Sequence, residues 1–199
     1  GAALGTSISQ WGMAGAYLVM VARMARRQNV SLRPTGAGII SGVQVGSWLM
    51  LRTASLRIAV LAAVVVATAQ GQVSLAAHQL VMTFFTFLAF ALDALAIAAQ
   101  AMIGRELGAG NRAMARELTR KMSVWGVGFG VITGVLLAAA APFAGWIFTT
   151  DPGVVQALTA GLWVLAAAQP ICGLVFVLDG VLIGAGDAKY LALTGVLNL

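Results

Sequence analysis

The sequence predicts an all-α protein, a polytopic bundle of transmembrane helices with five complete spans and the start of a sixth. Three observations lead there. Of 199 residues, 60% are hydrophobic and 9% are charged, whereas a soluble domain carries roughly 25% charged side chains. The apolar residues gather into runs that reach the roughly 20 residues a membrane helix needs. Strict apolar–polar alternation is absent and the runs exceed barrel-strand length, which favours helices over a β-barrel. Together these exclude a soluble enzyme, a nucleic-acid module and a disordered linker.

The first run, Ala2 to Ala22, ends at Arg23, Arg26 and Arg27. The second runs from Gly36 to about Ala69, interrupted by Arg52 and Arg57. A short turn, Gln70-Gly71-Gln72, leads into the third, Ser74 to Ile103, with Asp93 inside it. The fourth covers Met122 to Ala141 and is expected to stop at Pro142, with Trp146 and Phe148 beyond it as interfacial aromatics. The fifth runs from about Val154 to Ile183 around Pro170, and a sixth begins near Lys189. A start at Gly1 and a stop within an apolar stretch lead to the expectation of a piece of a longer protein.

The net charge of +6 would suggest an acidic partner in a soluble protein. Here its placement explains it. With five crossings, alternate loops hold Arg23, Arg26, Arg27, Arg33, Arg105, Arg112, Arg116, Arg120, Lys121 and Lys189, while the opposite loops hold no Lys or Arg. Cytoplasmic loops collect such cations, so the basic loops are expected inside and the amino terminus of the chain outside. Nucleic acid is not an expected partner. Membrane lipids are. Cys172 is the only cysteine, so no intramolecular disulfide can form.

Two glycine rows, Gly38-Gly42-Gly46 and Gly126-Gly130-Gly134, repeat every four residues. Such rows let membrane helices approach closely, either for static packing or for helix shifts. Two connections also look alike: Leu107-Gly108-Ala109-Gly110-Asn111 and Ile183-Gly184-Ala185-Gly186-Asp187. In each, glycine can end one helix and Asn111 or Asp187 can cap the next. Between Asn111 and Lys121, a short basic helix is expected at the inner surface.

The residues that carry most information are the charges within apolar runs: Arg52, Arg57, Asp93 and Asp179. A charge at mid-bilayer costs roughly 2.5–3.5 kcal/mol on insertion scales and faces a partner or an aqueous path. Arg52 and Asp93 each lie about 20 residues from the turn near Gln72, at similar depth in an antiparallel hairpin. An Arg52–Asp93 ion pair is therefore the first expectation, with Arg57 as substitute, serving either structure or the binding of substrate and ion. Asp179, near Gly184, reads first as a helix-end residue, with an ion-pair or transport-pathway role as the alternative. Pro170 is either a static kink or a hinge, and His78 a capping or packing residue. No Ser/His/Asp set, metal-ligand pair or carboxylate dyad stands out, so neither catalysis nor a cofactor is expected.

Leu75-Ala76-Ala77-His78-Gln79, Ala91-Leu92-Asp93-Ala94-Leu95-Ala96-Ile97-Ala98-Ala99-Gln100, Gly104-Arg105-Glu106-Leu107-Gly108-Ala109-Gly110 and Leu178-Asp179-Gly180-Val181-Leu182-Ile183-Gly184-Ala185-Gly186-Asp187 resemble the multidrug and toxic compound extrusion (MATE) transporters, specifically the DinF-like branch. The resemblance implies part of a twelve-helix, two-lobe antiporter. Residues 1–35 would be the last helix of the amino-terminal lobe with the cytoplasmic linker, and residues 36–199 an incomplete carboxy-terminal lobe. It further implies exchange of a small organic substrate for a coupling proton or sodium by alternating access, with the amino-terminal lobe of the same protein as partner. The NorM-like branch places a coupling carboxylate on its seventh helix, and the corresponding run from Gly36 to Ala69 has none. Two rival readings stand beside this one. A lipid-linked precursor flippase would turn both Arg52 and Arg57 towards a cationic cavity, and a non-transporting membrane scaffold would pair all four intramembrane charges.

Overall fold

The computed structural model describes residues 2–27 and 35–197, and no strand is present among them. Six helices follow in order: α1 (Ala2–Arg27), α2 (Gly36–Ala69), α3 (Gln72–Gly108), α4 (Arg112–Phe148), α5 (Pro152–Ala185) and α6 (Ala188–Leu197). The inter-lobe linker expected before residue 35 falls largely on residues 28–34, outside the described residues. Two compact units are distinguished, Gly1–Gln44 and Val45–Leu199. The first holds α1 and the opening turns of α2; the second holds everything that follows.

Four helices, α2 from Gly38 and the whole of α3, α4 and α5, are long and apolar enough to cross a membrane by length and composition. α1 is not among them; Thr6, Ser7, Ser9 and Gln10 dilute its first half. Several hydroxyls inside the apolar helices are satisfied locally. The hydroxyls of Ser55, Thr68, Thr86 and Thr133 each donate to the carbonyl four residues back, which keeps a polar group tolerable where water is absent. The surface is correspondingly apolar: Phe87, Phe90 and Trp125 are about 70% exposed.

Local chemistry explains the helix ends. Gly71 turns the chain between α2 and α3 at φ +104°. The two similar connections have the same geometry. Gly110 and Gly186 adopt φ +76° and +78°, and the following Asn111 and Asp187 donate backbone N–H to Glu106 and Leu182 carbonyls. Their side chains then accept the N–H of Met114 and Tyr190. Asp151 caps α5, accepting from Gly153 and Val154 ahead of a proline at the first helical position.

α4 differs from expectation. It is one helix from Arg112 to Phe148, not a short basic helix followed by a span that stops at Pro142. No glycine or proline interrupts Arg112 to Met122, so the Asn111 cap starts a helix that runs directly into the membrane segment. Pro142 removes only the donor that would reach the Ala138 carbonyl, and the helix ends six residues later. At about 1.5 Å per residue its 37 residues extend about 55 Å, beyond the roughly 30 Å hydrocarbon core. The basic turns are thus the overhanging end of a transmembrane helix.

α3, α4 and α5 form the core of the second unit, with α5 in contact with the other two. One buried cluster joins Ala77 of α3, Leu137 and Ala141 of α4, and Leu158, Leu162 and Leu165 of α5. A second joins Ala99, Met122 and Val177. Phe84 meets Phe148 edge to face at 5.8 Å between ring centroids.

Candidate functional site

Glycines decide how closely α5 meets its neighbours. A Cβ on Gly126 would overlap Val177 and the Gly173 carbonyl carbon, 2.7 and 3.1 Å away. One on Gly130 would come to 2.8 Å of Pro170 Cα, and one on Gly134 to 2.6 Å of the Ala166 oxygen. In each case the glycine hydrogen standing in for Cβ points at a carbonyl of the other helix, the weak C–H···O contact of tightly crossed helices. Gly134 thereby covers the Ala166 carbonyl that Pro170 cannot bond, and α5 stays helical through Pro170. On α5's other side, Gly180 and Gly184 lie against the carbonyls of Ala96 and Gln100. Sequence reading missed Gly173 and Gly180, although Gly180 and Gly184 carry the same four-residue spacing. Gly42 and Gly46 differ from the α4 row: a Cβ on either meets open space, and one on Gly38 meets only Thr35 Oγ1 at 3.0 Å.

Of the intramembrane charges, Arg52 and Asp179 meet in an ion pair, the two side chains 23% and 30% exposed. This replaces the expected Arg52–Asp93 pair and the expected helix-end role of Asp179. One hairpin relates the depths of α2 and α3 alone, and α5 carries Asp179 to nearly the same level. Gly180 touches Ala96, so Asp179 and Asp93 lie within about one helical turn in depth. Direction then decides. A Cβ on Gly195 of α6 would lie 3.8 Å from Arg52 Cα, which seats Arg52 beside the α5–α6 hairpin. The end of α5 is closed instead by Gly186, whose N–H donates to Leu182 and Ile183 carbonyls.

Asp93 is exposed on α3 and its charge acts on the same guanidinium. Arg57 is also exposed, and five residues along a helix turn it about 140° from Arg52. Of the two acids, Asp179 is committed to the arginine and Asp93 faces outward from α3.

Two buried polar groups complete the picture. Gln169 is fully buried on α5 between the two apolar clusters, and its Oε1 and Nε2 find no hydrogen-bond partner among the described residues. His78, half-buried on α3, likewise has an unpartnered Nε2. Gln169 was legible as the one amide in the middle of the fifth apolar run.

Residues 49–198 match the MatE family. Protein DETOXIFICATION 45, chloroplastic, of Arabidopsis thaliana is 29% identical over 96% of this chain and 34% of its own length. Protein DETOXIFICATION 44, chloroplastic, of the same plant is 34% identical over 76% of this chain and 29% of its own length. The chain thus spans about a third of the length of these curated relatives. A MOP superfamily transporter from Pyrococcus furiosus Vc1 shares the fold, with a TM-score of 0.73, 22% identity, and coverage of 79% of this chain and 35% of that one. Long apolar helices and a match over most of its length make this a multi-pass membrane protein, and the chain belongs to the MatE family.

Proposed function

We propose that the full-length protein containing this chain is a secondary active efflux antiporter. It exports drugs or other amphipathic compounds in exchange for protons or sodium, by alternating access between two lobes. In this reading residues 1–35 end the amino-terminal lobe and residues 36–199 supply most of the carboxy-terminal lobe. The distribution of loop cations supports a cytoplasmic side for the basic loops of a protein in the plasma or inner membrane. The absence of any carboxylate in α2 favours the DinF-like branch. The main coupling acid would then lie outside this chain.

The observation that carries the reading is the intramembrane charge set. A set of closed pairs would suit a static scaffold, but Asp93 stands exposed near the Arg52–Asp179 pair with no ion pair of its own among the described residues. One such carboxylate in an apolar bundle suits a monovalent cation or proton, because the charge is expensive until a partner arrives. The flippase reading asks Arg52 and Arg57 to line one cationic cavity, whereas the pairing and the 140° divergence on an ideal helix favour the efflux reading.

Drug accumulation in cells expressing the full-length protein tests this. Wild type should lower accumulation below empty vector, and Asp93→Asn should raise it towards vector level at equal expression. Asp179→Asn leaves Arg52 without its ion-pair acid and should impair both expression and efflux. Wild-type accumulation equal to vector would sink efflux of the compounds tested, and full transport by Asp93→Asn would remove Asp93 from the mechanism.

A further inference from the structure

At the end of the second unit where α3 and α5 finish and α4 begins, the three helices enclose an open groove of about 340 Å³. Its floor is apolar, formed by Ile103 and Leu107 of α3 and Val181 and Ala185 of α5. Its rim carries Arg112 and Arg116 of α4, and among the described residues no acidic side chain lines it. The two arginines stand four residues apart, so they project from one helix face with Cβ atoms about 6 Å apart. The ion pairs found among the described residues, Arg52–Asp179 and Lys121–Glu117, use neither. Nearby Glu106 accepts a hydrogen bond from the Asn111 side chain.

An apolar trough with an uncompensated double-arginine rim is unfavourable facing water alone or hydrocarbon alone. It suits a molecule that is anionic at one end and apolar at the other. We propose that this groove binds one anionic phospholipid, its phosphate between Arg112 and Arg116 and an acyl chain along Ile103, Leu107, Val181 and Ala185. Guanidinium forks match phosphate oxygens with paired hydrogen bonds, and basic pockets between transmembrane helices are known seats for acidic headgroups. A choline headgroup carries its own cation to the arginines and is disfavoured. The proposal does not depend on what the protein transports.

Native mass spectrometry of the purified full-length protein tests it, with phosphatidylglycerol and phosphatidylcholine of matched acyl chains as probes. The readout is the ratio of the two affinities, which loss of folded protein does not change. Wild type should prefer phosphatidylglycerol, and R112A/R116A should lower that preference about 30-fold, on the usual contribution of a basic residue near an acidic lipid. R120A/K121A removes the same charge from the same helix outside the groove and should alter the preference by no more than about threefold. A185F fills the floor while keeping both arginines and should weaken phosphatidylglycerol binding about tenfold, read as the affinity of the folded charge states alone. Equal losses in the two double variants would overturn the proposal in favour of diffuse surface charge. Competition by inorganic phosphate at matched concentration would overturn it in favour of a simple anion site. Full phosphatidylglycerol binding by A185F, or no wild-type preference, would also overturn it.

Discussion

Gly130→Ala and Gly128→Ala place the same methyl group on the same helix two residues apart, and the structure assigns them opposite signs. At Gly128 a Cβ meets nothing within 4 Å, so the substitution brings only alanine's better helix propensity, up to about 1 kcal/mol of stabilisation. At Gly130 the Cβ would lie 2.8 Å from Pro170 Cα and 2.9 Å from the Gln169 carbonyl carbon. Both are backbone atoms of a packed helix, so no side chain can swing away. Relief requires α4 and α5 to separate by the better part of an ångström, and a gap of that size forfeits a quarter to a half of each contact's well, on the order of 0.1 kcal/mol per atom pair. The neighbouring contacts at Gly126, Gly134 and Gly173 open with it, each C–H···O approach being worth about 0.5–1 kcal/mol. Typical overpacking costs of about 1–3 kcal/mol therefore outweigh the propensity gain, and the net loss is about 2 kcal/mol. Equilibrium unfolding of the full-length protein in mixed detergent micelles, followed by tryptophan fluorescence, measures the difference. Equal stability of the two variants would refute the close-approach reasoning, since propensity alone treats them alike.

Arg52→Ala and Asp179→Ala should each destabilise the full-length protein, with a double variant less damaged than their sum by about 1–2 kcal/mol; an additive cycle would show the ion pair to be energetically idle. Gln169→Leu should stabilise by about 1 kcal/mol or more, because it removes two buried polar atoms that lack partners. A lower unfolding midpoint would instead show that the amide is hydrogen-bonded in the membrane. Asp151→Ala should cost about 1 kcal/mol through loss of the α5 cap, while Asp151→Asn, which keeps an accepting oxygen, should cost less; equal losses would assign the effect to charge.

Composition and run length were enough to read helices from the sequence, because membrane crossing demands both at once. The glycine–Asn/Asp connections were legible for a similar reason: few residue pairs can take a left-handed turn and then cap. α4 was misjudged where one residue type was allowed to outweigh its surroundings. A proline six residues from a helix end costs one hydrogen bond, which a capped 37-residue helix absorbs. The charge pairing was only half legible. Counting from a turn yields depth along the membrane normal, and Arg52, Asp93 and Asp179 share that depth. Which acid takes the arginine depends on the azimuth of α5, set by Gly180 and Gly184 against α3, and a single hairpin contains no information about it.

The same contact has a consequence for the charges themselves. Asp179 is the chain neighbour of Gly180, whose Cα lies against the Ala96 carbonyl, and Ala96 is three residues from Asp93. The relative depth of the two acids is therefore set by a backbone-to-backbone contact that side-chain rotation cannot alter. Arg52 reaches Asp179 through a long, flexible side chain from α2, with its own backbone against Gly195. Of the three charges, the guanidinium is the one whose position can change without breaking a glycine contact. Gly180→Ala should therefore cost about 1–3 kcal/mol in unfolding of the full-length protein and shift Asp179 away from Arg52, even though glycine carries no charge; unchanged stability would refute the backbone contact.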